Sequence, residues 1–178
     1  MSAAGLGVSA RYDLSALNVL VVEDNKNMQS LLRAIFRALG VRNLREMNSG
    51  EAAFEELKHF DADIVVSDWH MAPMDGLAFV RKVRTDPQSP NPYVPIILLT
   101  GHTETTRVIE ARDAGVNMFL AKPISVKALS ERLTALIDNP TRFVRTASYF
   151  GPDRRRKDAG PPRGMAERRK NAPSDWRS

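Results

Sequence analysis

The chain contains no cysteine, which excludes disulfide staples and metal sites held by thiolates. It has no uninterrupted run of about 18 apolar residues, the length needed to span a bilayer, so a soluble protein is expected. Its first residues, MSAAGLGVSARYDLSALNVLVVED, lack a basic leader followed by an apolar stretch and a small-residue cleavage site. No secretion signal is expected, and with cysteine absent this agrees with a cytoplasmic location. The segment EDNKNMQ has no glycine. That argues against an enzyme cradling a nucleotide or flavin phosphate on a glycine-rich turn.

What is present suffices for one domain of ordinary size. The 178 residues are 43% hydrophobic and carry a formal charge of +5, but the charge is unevenly spread. Residues 140–178 hold eleven Lys or Arg against four Asp or Glu, a tail of +7, which leaves residues 1–139 at −2. The tail is rich in Pro, Gly and Arg without a sustained apolar period, the composition of a segment that cannot bury a core of its own. We therefore expect a flexible arm over 1–15, a folded domain over 16–139 and a mostly disordered basic tail over 140–178. Within that tail, the aromatics between Phe143 and Phe150 are suited to docking on the body or on a partner.

Between the ends, short β-branched runs alternate with amphipathic stretches. Asn18 to Val22, Leu44 to Met47, Asp63 to Ser67, Pro95 to Leu99 and Asn117 to Leu120 read as five strands, several apolar enough to be buried on both faces. Helical spacing marks 26–39, 50–59, 75–85, 104–114 and 125–137, with Met28, Leu31, Leu32, Ile35 and Leu39 recurring along the first. Gly40 and Gly115 punctuate helix ends, and Ser49, Thr103 and Ser125 are candidate N-caps. Strict alternation of strand and helix predicts an α/β fold, a doubly wound parallel sheet with helices on both faces.

In such sheets ligands collect beyond the carboxyl ends of the strands. There the first strand leads into Glu23-Asp24, the third into Asp68, the fourth into Thr100 and the fifth into Lys122-Pro123. Carboxylates brought together repel, and a hard divalent cation relieves the conflict. Mg²⁺ suits such a cluster: it takes oxygen ligands, keeps several waters and binds one or two carboxylates together with a phosphate. Taken singly, each residue has an ordinary reading, since carboxylates favour helix N-termini and a lone Lys-Pro is uninformative. Their joint placement at successive strand ends carries the signal.

The set Glu23-Asp24, Asp68, Thr100 and Lys122-Pro123, with the stretches DWHMAPMDG, LLTG and FLAKP, resembles the receiver domains of two-component response regulators over about Asn18 to Ile137. The resemblance implies a flavodoxin-like fold of five strands in the order 2-1-3-4-5 with five helices. It implies Asp68 as phospho-acceptor, with Thr100 and Lys122 contacting the phosphoryl group. Asp24, Asp68, Glu23 directly or through water, and the backbone carbonyl of His70 would hold Mg²⁺. Thr100 and Phe119 would form the switch, and the Lys122-Pro123 bond would be cis. The phosphoryl donor would be a sensor histidine kinase or a histidine phosphotransfer protein.

Two departures from the family pattern stand out. Ala72 occupies the position that commonly holds proline, with Pro73 one residue later, and Phe119 lacks the hydroxyl a tyrosine would offer there. His70 and His102, each two residues beyond Asp68 and Thr100, flank the expected phosphoryl site and are candidates for tuning phosphoryl lifetime. His59 reads as a helix-surface residue, and Met71 and Met74 as packing residues. The tail has no helix-turn-helix pattern and is too short for an enzymatic output domain, so output is expected through contact with a downstream protein, with phosphorylation-dependent dimerisation also open. The alternative reading is nucleic-acid binding through Arg154-Arg155-Arg156-Lys157 and Arg168-Arg169-Lys170.

Overall fold

The computed structural model describes residues 12–101 and 105–153, with residues 105–108 described by backbone alone. Five βα units follow one another: β1 (Asn18–Val22), α1 (Lys26–Ala38), β2 (Asn43–Met47), α2 (Gly50–Glu56), β3 (Ile64–Asp68), α3 (Gly76–Thr85), β4 (Ile96–Thr100), α4 (Thr105–Ala114), β5 (Met118–Ala121) and α5 (Val126–Asp138). The strands pair in the order β2-β1-β3-β4-β5, and every pair is parallel. This is the flavodoxin-like arrangement the resemblance implies. The last three strands each run one residue past the end expected from sequence, because the ladder continues through polar Asp68 and Thr100 and through Ala121. The helix expected over 50–59 ends at Glu56 and passes into a turn.

Side chains alternate across the sheet and build two cores. Leu20, Val22, Val65, Ile96 and Leu98 face one way and pack with Phe54, Phe79, Val80 and Val83 of α2 and α3. Val19, Val21, Val66, Ile97 and Leu99 face the other way, against Leu32, Ile35, Phe36, Leu129 and Leu133 of α1 and α5. Burial on both faces explains why β1, β3 and β4 read as continuous apolar runs. Each fully buried residue of this kind, such as Leu20 or Leu32, stabilises the fold by about 2 kcal/mol relative to exposure.

Helix starts are fixed by side chains that accept from free backbone N–H groups. Asn25 accepts from Asn27 and Met28, Ser49 from Ala52, Asp75 from Ala78 and Ser125 from Ala128. Gly40 and Gly115 follow α1 and α4 with φ of 91° and 100°, the left-handed region that terminates helices and that residues with a Cβ avoid. The expected cap Thr103 lies outside the described residues.

Ordered structure continues beyond α5. β6 (Phe143–Arg145) and β7 (Phe150–Pro152) form an antiparallel hairpin, so the aromatic stretch of the tail docks on the body. Tyr93 meets the rings of Phe143 and Phe150 edge-on at centroid distances of 5.3 and 5.2 Å. Beneath the hairpin lies Arg84 of α3, only 2% exposed. Its guanidinium donates to the carbonyls of Gly115, Pro92 and Val94 and to Oδ1 of Asn117 at 2.8–3.0 Å, and it lies 5.0 Å from the Phe143 ring centroid. Burial pushes its pKa down to about 9, so it remains charged at neutral pH.

Candidate functional site

The site forms where β1, β3, β4 and β5 end on one edge of the sheet. Glu23, directly after β1, is held by its backbone: its N–H donates to Met47 O at 3.0 Å and its carbonyl accepts from Gln29 Nε2 at 2.7 Å. Its carboxylate is 1% exposed. Oε1 accepts from Asn25 N at 3.1 Å, whereas Oε2 has no hydrogen-bond donor among the described residues and lies 3.6 Å from the ammonium of Lys122. Burial raises the pKa of Glu23 above the ordinary carboxylate range; the Asn25 N–H and Lys122 oppose this, while the negative charges of Asp68 and Asp24 add to it.

Asp68 is the last residue of β3 and is 4% exposed. Its Oδ1 accepts from Trp69 N at 2.9 Å and pairs with Lys122 Nζ at 2.7 Å. Lys122 comes from the loop after β5, where its N–H donates to Thr100 O at 2.8 Å and its bond to Pro123 is cis, as expected. A second cis bond joins Ala72 to Pro73, at the place where the sequence departs from the family pattern. Thr100 closes β4 beside Ala121 and is buried. Asp24 is exposed at the mouth.

Glu23, Asp24, Asp68 and Lys122 line a cleft of about 440 Å³ together with Asn25, Asn27, Met28, Leu31 and His70. His70 is exposed and its ring stacks on that of Trp69, with centroids 6.3 Å apart. Phe119 stands opposite Leu98 on β5, half-buried against the core that faces α2 and α3. Met71 is buried and Met74 packs on the same core, as expected of packing residues, and His59 is exposed. His102 lies outside the described residues.

The donor set fits a hard cation. Glu23, Asp24 and Asp68 each offer an oxygen, and the three atoms lie within 4.8 Å of one another. Glu23 also holds a buried oxygen, Oε2, with no hydrogen-bond donor among the described residues, an arrangement that is costly unless a cation completes it. All three donors are oxygen, which favours Mg²⁺ over metals that prefer thiolate or imidazole.

Two contributors escape a reading by residue type. Gly76 begins α3 so close to β3 that a Cβ would overlap the Asp68 carbonyl oxygen and lie 2.9 Å from Trp69 Cα; only the DG pair of MDG hints at it. Trp69 is 4% exposed and supplies the backbone N–H that orients Asp68, a role no side-chain pattern reveals.

The fold and this edge of the sheet define a class. A sequence model described as the response regulator receiver domain matches residues 19–134, more than half of the chain, and the protein belongs to that family, whose members are signalling modules rather than classical enzymes. The chain is 31% identical over 122 residues to chemotaxis protein CheY-3 of Vibrio cholerae serotype O1, spanning 68% of this chain and 92% of that protein. It is 33% identical to chemotaxis protein CheY1 of Helicobacter pylori, with coverage of 68% and 97%. Among solved structures it resembles the receiver domain of the sensor histidine kinase PA1611 from Pseudomonas aeruginosa PAO1, described with a magnesium ion coordinated in the active site cleft. That match has a TM-score of 0.62 and 28% identity, and covers 69% of this chain and 98% of the other. No helix among the described residues is long and apolar enough to cross a membrane.

Proposed function

We propose that this protein is a phosphorylation-activated response regulator that accepts a phosphoryl group on Asp68 from a histidine kinase or histidine phosphotransfer protein and signals through contact with a downstream protein. The observation that supports this most directly is the buried Asp68 carboxylate, 2.7 Å from an ammonium and grouped with two further carboxylates in a cleft open to a donor.

An oxygen of Asp68 attacks the phosphorus of the donor's phosphohistidine in line with the P–N bond. That bond breaks, its electron pair leaves with the imidazole, and an acyl phosphate forms. Asp24, Asp68, Glu23 directly or through water, and the His70 carbonyl would hold Mg²⁺, which would supply neutralisation of the negative charge that builds up at the site. Lys122 transfers its ion pair from Asp68 to the phosphoryl oxygens, and the Thr100 hydroxyl donates to one of them. Because Phe119 has no hydroxyl, coupling of Thr100 to the surface of α4, β5 and α5 runs through packing. His70, which lines the cleft, and His102, two residues beyond Thr100 in sequence, set how fast hydrolysis returns free Asp68 and inorganic phosphate.

Trp69 offers a direct test, being buried beside the acceptor. In a Trp176→Phe background its fluorescence changes on titration with Mg²⁺ and again on adding acetyl phosphate. The second response disappears in Asp68→Asn; its persistence there would remove Asp68 from the acceptor role.

A further inference from the structure

The hairpin of β6 and β7 sits at the pole opposite the phosphorylation cleft. Arg84 shows this, because its carbonyl partners Val94 and Gly115 and its amide partner Asn117 all precede β4 or β5, while Thr100 and Lys122 lie at the other ends of those strands. One buried cation therefore ties α3 to the entry points of β4 and β5, the two strands whose exits lead to Thr100 and Lys122. Asn117 strengthens the tie: its Oδ1 also accepts from Ile96 N, and its own N–H donates to Ile96 O.

The hairpin closes over this knot. Phe143 covers the Arg84 guanidinium, and Gly151 approaches the chain at Gly115 so closely that a Cβ on Gly151 would stand 3.0 Å from Gly115 Cα. Gly115 is also the left-handed residue that ends α4. Its carbonyl accepts from Arg84, its Cα abuts the hairpin, and its N–H donates to Arg112 O. The hairpin's own closure is local: Thr146 N donates to Tyr149 O at 2.8 Å, Tyr149 Oη to Pro152 O at 2.9 Å and Asp153 N to Arg142 O at 2.6 Å. It is thus a small unit whose seat is formed by the ends of α3 and α4 and the starts of β4 and β5.

We propose that this hairpin is a strap whose docking is coupled to the state of Asp68: a shift of β4, α4 and β5 that accompanies phosphorylation displaces Gly115 from Arg84 and Gly151 and loosens the hairpin. The proposal rests on the phospho-acceptor reading. Gly151 is seated near enough to Gly115 that even a methyl group would crowd it, and Arg84 links the same residue to α3, so a shift of α4 relative to α3 must repack this seat, because packed interfaces switch between discrete arrangements rather than deform. Coupling is reciprocal, so a loosened hairpin must in turn favour the phosphorylated state.

The test uses the full chain with amide hydrogen exchange read residue by residue, and phosphoryl occupancy read by intact mass on the same sample. With Mg²⁺ and acetyl phosphate, exchange at Thr146, Gly151 and Asp153 accelerates about fivefold or more, and does not in Asp68→Asn. In the other direction, Phe143→Ala and Tyr93→Ala, which remove aromatic contacts outside the two main cores, each bind beryllium fluoride, an acyl-phosphate mimic, about fivefold or more tightly than the parent chain. Full occupancy with unchanged hairpin exchange, or unchanged beryllium fluoride affinity in both variants, overturns the coupling and leaves the acceptor reading standing. Failure of Asp68 to take up phosphate overturns both.

Discussion

The ammonium of Lys122 lies 2.7 Å from Oδ1 of Asp68 and 3.6 Å from Oε2 of Glu23, so one cation on the loop after β5 serves the carboxylates of β3 and β1 together. Lys122→Met removes it while keeping the apolar stem. The metal-free protein loses about 1 to 3 kcal/mol, less than for a fully buried pair because Lys122 is 26% exposed. Mg²⁺ binds the variant more tightly, by about tenfold, since a neighbouring positive charge has gone. Phosphoryl uptake slows. Thermal melts with and without metal, with a Mg²⁺ titration, measure all three.

Glu23 carries a raised pKa caused first by burial. In the absence of metal the folded state therefore holds its proton to higher pH than the unfolded state, and this group's contribution to stability falls as pH rises above about 4.5. Glu23→Gln abolishes that loss. At pH 7 without metal the variant melts higher than the parent chain, whereas with saturating Mg²⁺ the order reverses. Paired melting curves at pH 4.5 and pH 7 test the sign.

Gly76→Ala forces a methyl group onto the Asp68 carbonyl oxygen and against Trp69 Cα, backbone that has nowhere to move. The expected cost is about 3 kcal/mol, the upper range for overpacking. Chemical denaturation measures it. Gly40→Ala is a useful contrast: no atom lies within 4 Å of the added methyl, so its cost comes only from the left-handed backbone, about 1 kcal/mol.

His70 lines the cleft, and His102 follows Thr100 by two residues. Replacing both with Ala changes the rate at which phosphorylated Asp68 hydrolyses, followed as loss of phosphoryl mass after the donor is removed. An unchanged rate would assign both rings to the solvated surface.

Much of this architecture is legible in the residues themselves. The strands of the sheet announce themselves as apolar runs because β1, β3 and β4 are buried on both sides, and Gly40 and Gly115 mark helix ends because a positive φ demands them. The clustering of Glu23, Asp24, Asp68 and Lys122 follows once a parallel sheet is inferred, since strand ends must then converge. Arg84 is different. A charged residue on an amphipathic helix reads as solvent-facing, and its burial depends on carbonyls from the loops before β4 and before β5 and on a hairpin with no long-range apolar period. Gly76 and the backbone N–H of Trp69 are likewise invisible to residue type, because their roles depend on how closely α3 is set against β3.

Intact mass after incubation with Mg²⁺ and acetyl phosphate is the most direct measurement of all. The parent chain gains one phosphoryl group, and the gain is absent in Asp68→Ala and after chelation of the metal. A folded, metal-loaded protein that gains no mass, or an Asp68→Ala variant that gains it equally, would contradict phosphorylation at this site.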